Sequence, residues 1–292
     1  MKVGLQVFTV QESFRKDPMG TLDKLADAGY KYIEMANGNA ATDDGTGFAT
    51  GIKEFKAKLE EREITLLGSH VSQMTDQQLV DVSLDRWERI AEWYEEAGAK
   101  YLAIALDTHT SKEKLYSDCE RYIKIGNICK EHGLHLLYHN HFMEFQEYDG
   151  VSMFDIMLRE IPEELFSLEV DTWWIMRALV DPGNFIRKYG NRIKVLHQKD
   201  YTLGTVNDLS VWNIVKFNEP TDFNTFWTAT PYPEQCTEVG DGMMKIQDII
   251  NAGNEAGIPY ILVEQDHSKY DDITSVRISM ETFRKMHGIE WD

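Results

Sequence analysis

The chain has 292 residues, 42% of them hydrophobic, which is enough for one large α/β core. Its net charge of −19 is spread along the sequence and argues against a nucleic-acid partner, since phosphate backbones need a basic surface. Cys119, Cys129 and Cys236 form no C-x-x-C pair, so neither a disulfide nor a thiolate zinc site is expected and a reduced compartment fits.

The opening "MKVGLQVFTV" lacks signal-peptide anatomy, and no apolar run approaches membrane-spanning length. A cytoplasmic location without membrane contact is therefore expected.

Apolar runs place strands near 2–9, 31–36, 64–71, 101–106, 135–140, 167–172, 193–199 and 260–266. Four share one grammar: "LADAGYKYIEM", "YEEAGAKYLAI", "CKEHGLHLLYH" and "GNEAGIPYILV". Each is a polar helix end, a glycine suited to the left-handed cap, and an apolar strand. "RKYGNRIKVLH" is a looser copy at Gly190, and "EEREITLLGSH" makes the same transition without glycine. Between them, Leu84, Trp87, Ala91 and Tyr94 fall at helical spacing, as do Leu115, Cys119, Tyr122 and Cys129.

Eight such units predict a single-domain (β/α)8 TIM barrel over 1–292. A doubly wound open sheet would show a Gly-rich turn after the first strand, which "LQVFTVQESF" lacks. One connection breaks the rhythm. The segment 201–237 is an aromatic insertion with Trp212, Phe217, Phe223, Phe226, Trp227 and Tyr232. A lid, a contact with a second copy or partner subunit, and a purely structural insertion are its open readings.

Barrel chemistry gathers at the C-terminal strand ends. Those ends carry Glu34, His70, Asp107, His139, Asp171, His197 and Glu264. Asp171, His197 and Glu264 lie on neighbouring strands, and this oxygen and nitrogen set suits manganese, cobalt, zinc or magnesium. A hydrogen-bonded polar plug is the alternative. "YHNHFMEF" adds His139, His141 and Glu144; alternation puts His139 and His141 on one side and leaves Asn140 to support a neighbouring strand. Lys199 could hold a substrate oxygen or pair with a rim acid, and Trp173 or Trp174 could stack on a sugar face. His109, His132, His267 and His287 read as surface or helix-end residues.

"YHNHFMEF", "LEVDTWW", "KVLHQKD", "EVGDGMMKIQDII" and "ILVEQD", in this order, resemble the sugar phosphate isomerase/epimerase family, a xylose-isomerase-like TIM barrel. The resemblance implies one divalent metal held by Glu, Asp, His and Glu from strands five to eight. Residue by residue, Asp171, His197 and Glu264 match, and the first Glu position falls on His139. His139 is favoured as that ligand by position, with Glu144 as the alternative carboxylate.

The resemblance also implies proton abstraction beside a carbonyl on a sugar or cyclitol. Glu264 would act with His70, His141 or Glu144, while Lys199, Trp173, Glu238 and Glu34 would contact substrate. An isomerase or epimerase is the first expectation. A dehydratase or lyase on an inosose, keto-sugar or 3-keto-glycoside is the second, and a non-catalytic sugar-binding protein the third. DNA repair on the same fold is disfavoured by the charge. No Gly-rich cradle beside a basic residue marks a phosphate, so the "phosphate" of the family name does not carry over.

Overall fold

The computed structural model describes residues 1–36, 51–71, 74–75, 78–79, 83–204 and 209–291. Eight parallel strands close into a barrel: β1 (Lys2–Gln6), β2 (Tyr32–Ala36), β3 (Thr65–Val71), β4 (Tyr101–Ile104), β5 (His135–His139), β6 (Phe166–Asp171), β7 (Ile193–Gln198) and β8 (Tyr260–Val263). Each pairs in parallel with its sequence neighbours, and β1 closes on β8. All eight expected strands are present, several ending a few residues early.

The linking helices form the outer layer. Gly29 (φ 102°) and Gly98 (φ 86°) take the left-handed caps the sequence predicts before β2 and β4. Gly190 differs: its φ is −54°, and a 3-10 turn over Gly190–Arg192 feeds β7 instead.

Alternation along the strands builds two interior layers. Leu67, Tyr101, Ala103, Leu137, Val195 and Leu262 form a small apolar cluster separate from the main core. Two residues further along their strands stand His139 after Leu137, His197 after Val195 and Glu264 after Leu262. Period-two geometry keeps each pair on one side, so an apolar floor carries a polar ceiling. The main core lies between sheet and helices, with Trp87, Tyr122, Phe154 and Trp173 fully buried.

The 201–237 segment carries short elements. Cys236–Thr237 pairs antiparallel with Asp200–Tyr201, and a helix runs over Phe223–Thr228. Phe226 and Val211 are buried, whereas Trp227, Tyr232 and Phe217 are exposed. Among the described residues no helix is long and apolar enough to cross a membrane.

Candidate metal centre and active site

The ceiling is a buried cluster of imidazoles and carboxylates. Register explains its assembly: β5 pairs with β6 at His139↔Glu169, and β6 pairs with β7 at Asp171↔His197. Two histidines bridge an inner and an outer level. His197 Nε2 faces inward to Glu34 Oε2 at 2.8 Å, and its Nδ1 faces Glu264 Oε2 at 2.7 Å. His139 Nδ1 lies 3.3 Å from Glu169 Oε1, and its Nε2 lies 3.8 Å from Asp171 Oδ2.

The inner level therefore holds Glu34, Glu169 and His70. His70 Nε2 shares a 2.6 Å contact with Glu169 Oε1, and Gln6 Nε2 donates to Glu34 Oε2 at 2.7 Å. The outer level holds His139, Asp171, His197 and Glu264. Asp171 ends β6 and caps the next helix, Thr172–Arg177: its Oδ1 accepts from the N–H groups of Trp173 and Trp174, while Oδ2 has no hydrogen-bond partner. Asn140 supports β6 as expected, accepting from the Asp171 N–H at 3.0 Å.

Charges are shifted accordingly. Burial pushes the Asp171 carboxyl up to about 6 even though Lys199 works against it. Burial and the neighbouring Glu34 push Glu169 up to about 7. Burial opposes ionisation of Glu264, but Lys199 and His197 outweigh it and hold that carboxyl well below the usual range. Burial would lower His197; Glu169 and Glu34 overcome it and hold the imidazole well above its ordinary value. His139 is pushed well below its ordinary value by burial and by His70.

His139, Asp171 and Glu264 each offer one atom within 4.8 Å of the others, and so do His70, His139, Glu169 and His197. On residues of these sets, Asp171 Oδ2, His139 Nδ1 and Glu169 Oε2 are buried without a hydrogen-bond partner, Asp171 Oδ2 being 3.2 Å from the Lys199 ammonium. A nitrogen and oxygen set of this kind fits a divalent cation.

Other sequence candidates land in different places. Lys199 Nζ lies 3.2 Å from Asp171, 3.5 Å from Glu264 and 3.1 Å from Asp266. His141 is half-buried against Trp174 and Phe226, with its ring 5.1 Å from that of His139. Burial and the Lys199 charge hold it far below its ordinary value, so it is a neutral imidazole.

Glu144 turns away from the cluster. It accepts from Tyr138 Oη at 2.7 Å and from the His141 N–H at 3.0 Å, tying down the loop after β5. Glu238 Oε1 accepts from Gln265, Ser268 and Ser275, and so braces the loop after β8. Asp107 faces the helices, bonded to Arg121 and Tyr122. His109 is buried, not superficial, between Asp118 and Tyr138. Trp173 and Trp174 lie on a helix, not a strand, and both are buried; the Arg177 guanidinium covers the Trp173 ring at 4.9 Å.

Glu169 is the residue that strand ends alone miss. It sits inside "SLEVD", and its signal is parity: two residues before Asp171, it must face the same way.

The chain belongs to the xylose isomerase-like TIM barrel family, which matches residues 22–286. Among solved structures it is similar to a sugar phosphate isomerase/epimerase from Parabacteroides distasonis ATCC 8503, at 21% identity and TM-score 0.78 over 99% of both chains. It is also similar to the IOLI protein with a bound zinc atom, at 13% identity and TM-score 0.67 over 98% of this chain and 96% of that one. Among curated relatives, inosose dehydratase of Geobacillus kaustophilus (strain HTA426) is 25% identical over 186 residues; the match covers 57% of this chain and 60% of that relative's length.

Proposed function

We propose that this chain is a divalent-metal-dependent enzyme that removes the proton beside the carbonyl of a sugar or cyclitol. One observation carries the reading. His139 and His197 each turn one ring nitrogen outward, toward Asp171 and Glu264, and one inward, toward Glu169 and Glu34. Ligating histidines commonly have their second nitrogen fixed by a carboxylate, as His197 Nε2 is by Glu34. His139, Asp171, His197 and Glu264 would hold the cation; Glu144, the alternative carboxylate, accepts from Tyr138 and the His141 N–H instead.

A cation held there would stabilise the negative charge that develops on the carbonyl oxygen as the proton leaves. The remaining work falls to side chains. Glu264, kept ionised by Lys199 and His197, takes the proton. Lys199 orients a substrate oxygen with its ammonium. Glu264 then returns that proton to carbon or passes it to a departing β-oxygen, while His141, neutral and at the edge of the aromatic wall, contacts the substrate.

Return of the proton gives isomerisation or epimerisation. Departure of a β-oxygen gives elimination, and this second reading is favoured by the likeness to an inosose dehydratase and by His139 standing in place of a second rim glutamate. Incubation in deuterium oxide with ketoses, inososes and 3-keto-glycosides, read by NMR, tests the shared step. Deuterium beside the carbonyl, or an unsaturated product, is expected. Conversion with that carbon–hydrogen bond intact and without internal hydrogen transfer would overturn the reading.

A further inference from the structure

We infer that a buried relay of Asp118, His109, Tyr138 and Glu144 holds the backbone of His141 and so sets where its ring meets the substrate. All four are positioning residues, acting through His141. The inference rests on the reading that His141 contacts the substrate, and it adds the residues that fix that contact.

The His141 ring depends on support from its backbone. Its Nδ1 is buried and, among the described residues, has no hydrogen-bond partner. The ring packs edge-on to Phe226 at 5.0 Å and against Trp174 at 5.4 Å. The polar holds lie on the main chain. The His141 carbonyl accepts from Asn140 Nδ2 at 3.0 Å, and its N–H donates to Glu144 Oε2 at 3.0 Å. Asn140 is tied to β6 through the Asp171 N–H. Glu144 is tied in the other direction, toward the helical layer.

Glu144 Oε1 accepts from Tyr138 Oη at 2.7 Å. Tyr138 Oη lies 3.1 Å from His109 Nε2, and His109 Nδ1 lies 2.8 Å from Asp118 Oδ2. Asp118 stands on the helix Lys112–Glu131, where the same oxygen takes the Lys114 ammonium at 2.6 Å. All four relay side chains are buried. Tyr138 lies between the inward-facing Leu137 and His139, so alternation points it at the helices. The relay therefore runs from an outer helix, through the loop after β4 and the outward face of β5, to the loop that carries His141. Tyr148 Oη donates to the His109 carbonyl at 2.6 Å and joins those two loops a second time.

The hydrogens are as closely specified as the heavy atoms. Three links join the four side chains, and each needs one hydrogen. Tyr138 supplies one and a neutral imidazole one, so the third is carried by His109 or by Glu144. Burial pushes the Glu144 carboxyl up, which helps to keep that hydrogen in the relay. Loss of one link leaves buried polar atoms unpaired on both sides of it, so the relay holds as a unit. Glu144→Gln satisfies the count: the amide donates to Tyr138, the tyrosine hydroxyl donates to His109, and the amide oxygen still accepts the His141 N–H. Tyr138→Phe breaks two links at once.

Hydrogen–deuterium exchange at the His141 amide of the full-length protein reads the hold directly. Tyr138→Phe removes one oxygen and keeps the ring; checked for fold by circular dichroism, it should speed that exchange at least about tenfold with metal content unchanged. Glu144→Leu should do the same, whereas Glu144→Gln should keep protection within about threefold of wild type. In turnover of 2-keto-myo-inositol, Tyr138→Phe should lower kcat/KM at least about tenfold in the wild-type background and less than about twofold in His141→Ala. A residue that acts through His141 has nothing to act on once that ring is gone.

Wild-type protection in Tyr138→Phe, equal damage from Glu144→Gln and Glu144→Leu, or an undiminished kinetic effect in His141→Ala would overturn the inference. Failure of the proposed function is distinguishable: it would appear as no turnover of any sugar or cyclitol, and the amide exchange would still decide the relay.

Discussion

At the scale of single residues, the orientation of two imidazoles matters more than the number of acids nearby. His197 has one nitrogen committed inward to Glu34 by a 2.8 Å hydrogen bond, whereas His139 Nδ1 stands 3.3 Å from Glu169 without one. Asp171→Asn keeps the helix cap but weakens an anionic ligand, so metal affinity should fall by at least about 100-fold in equilibrium dialysis, with the thermal midpoint of the metal-free protein little changed. Glu34→Gln touches no outer-level side chain but His197, through Nε2; a loss of about 10- to 100-fold in metal affinity is expected. Unchanged affinity in Glu34→Gln would mean the inner carboxylate does not orient the ligand.

The same residues carry a pH dependence. Asp171 is raised to about 6 and Glu169 to about 7, so near pH 6 both are partly protonated without the cation. Metal uptake should then release protons in weakly buffered solution, and apparent affinity should fall as pH drops through this range. Calorimetry in two buffers of different ionisation enthalpy reads that release directly.

Strand-end reading pointed to Asp171, His197 and Glu264 because each closes an apolar run, and the structure brings them into one cluster. Asp107, read in the same way, faces the helices, and Glu144 and Glu238, singled out from the loops, turn to other partners, because a residue beyond a strand end is free to turn. Sequence position cannot say that Tyr138, rather than the cluster, claims Glu144.

At the scale of elements, period-two alternation explains how one strand serves both stability and chemistry. β5 puts Leu137 into the apolar floor and His139 into the polar ceiling. Leu137→Ala should therefore cost about 2–5 kcal/mol in chemical denaturation, as a cavity in a fully buried floor, and should also lower metal affinity by loosening His139. A loss of stability with metal affinity intact would show that the layers are independent. The strands β2 to β8 were legible because each follows a helix end with an apolar run, often announced by a glycine, and β1 by its apolar run alone. The tryptophans were misread for a physical reason: Asp171 caps a helix at once, so helical rather than strand geometry sets where Trp173 and Trp174 point.

At the scale of the whole molecule, the barrel of this chain of net charge −19 concentrates buried charge at one mouth. The aromatic insertion closes one side of that mouth, Phe226 meeting the His141 ring at 5.0 Å, while Trp227 and Tyr232 stay exposed. Its composition was legible, but its short elements were not, because no single period runs through it. The central claim is that His139, Asp171, His197 and Glu264 form one metal-dependent proton-abstraction site. The most direct measurement pairs elemental analysis with deuterium exchange on wild type and Glu264→Gln. The account predicts close to one divalent ion per wild-type chain and deuterium beside the carbonyl of a converted substrate, with both strongly reduced in the variant. Full metal occupancy and undiminished exchange in Glu264→Gln would contradict it.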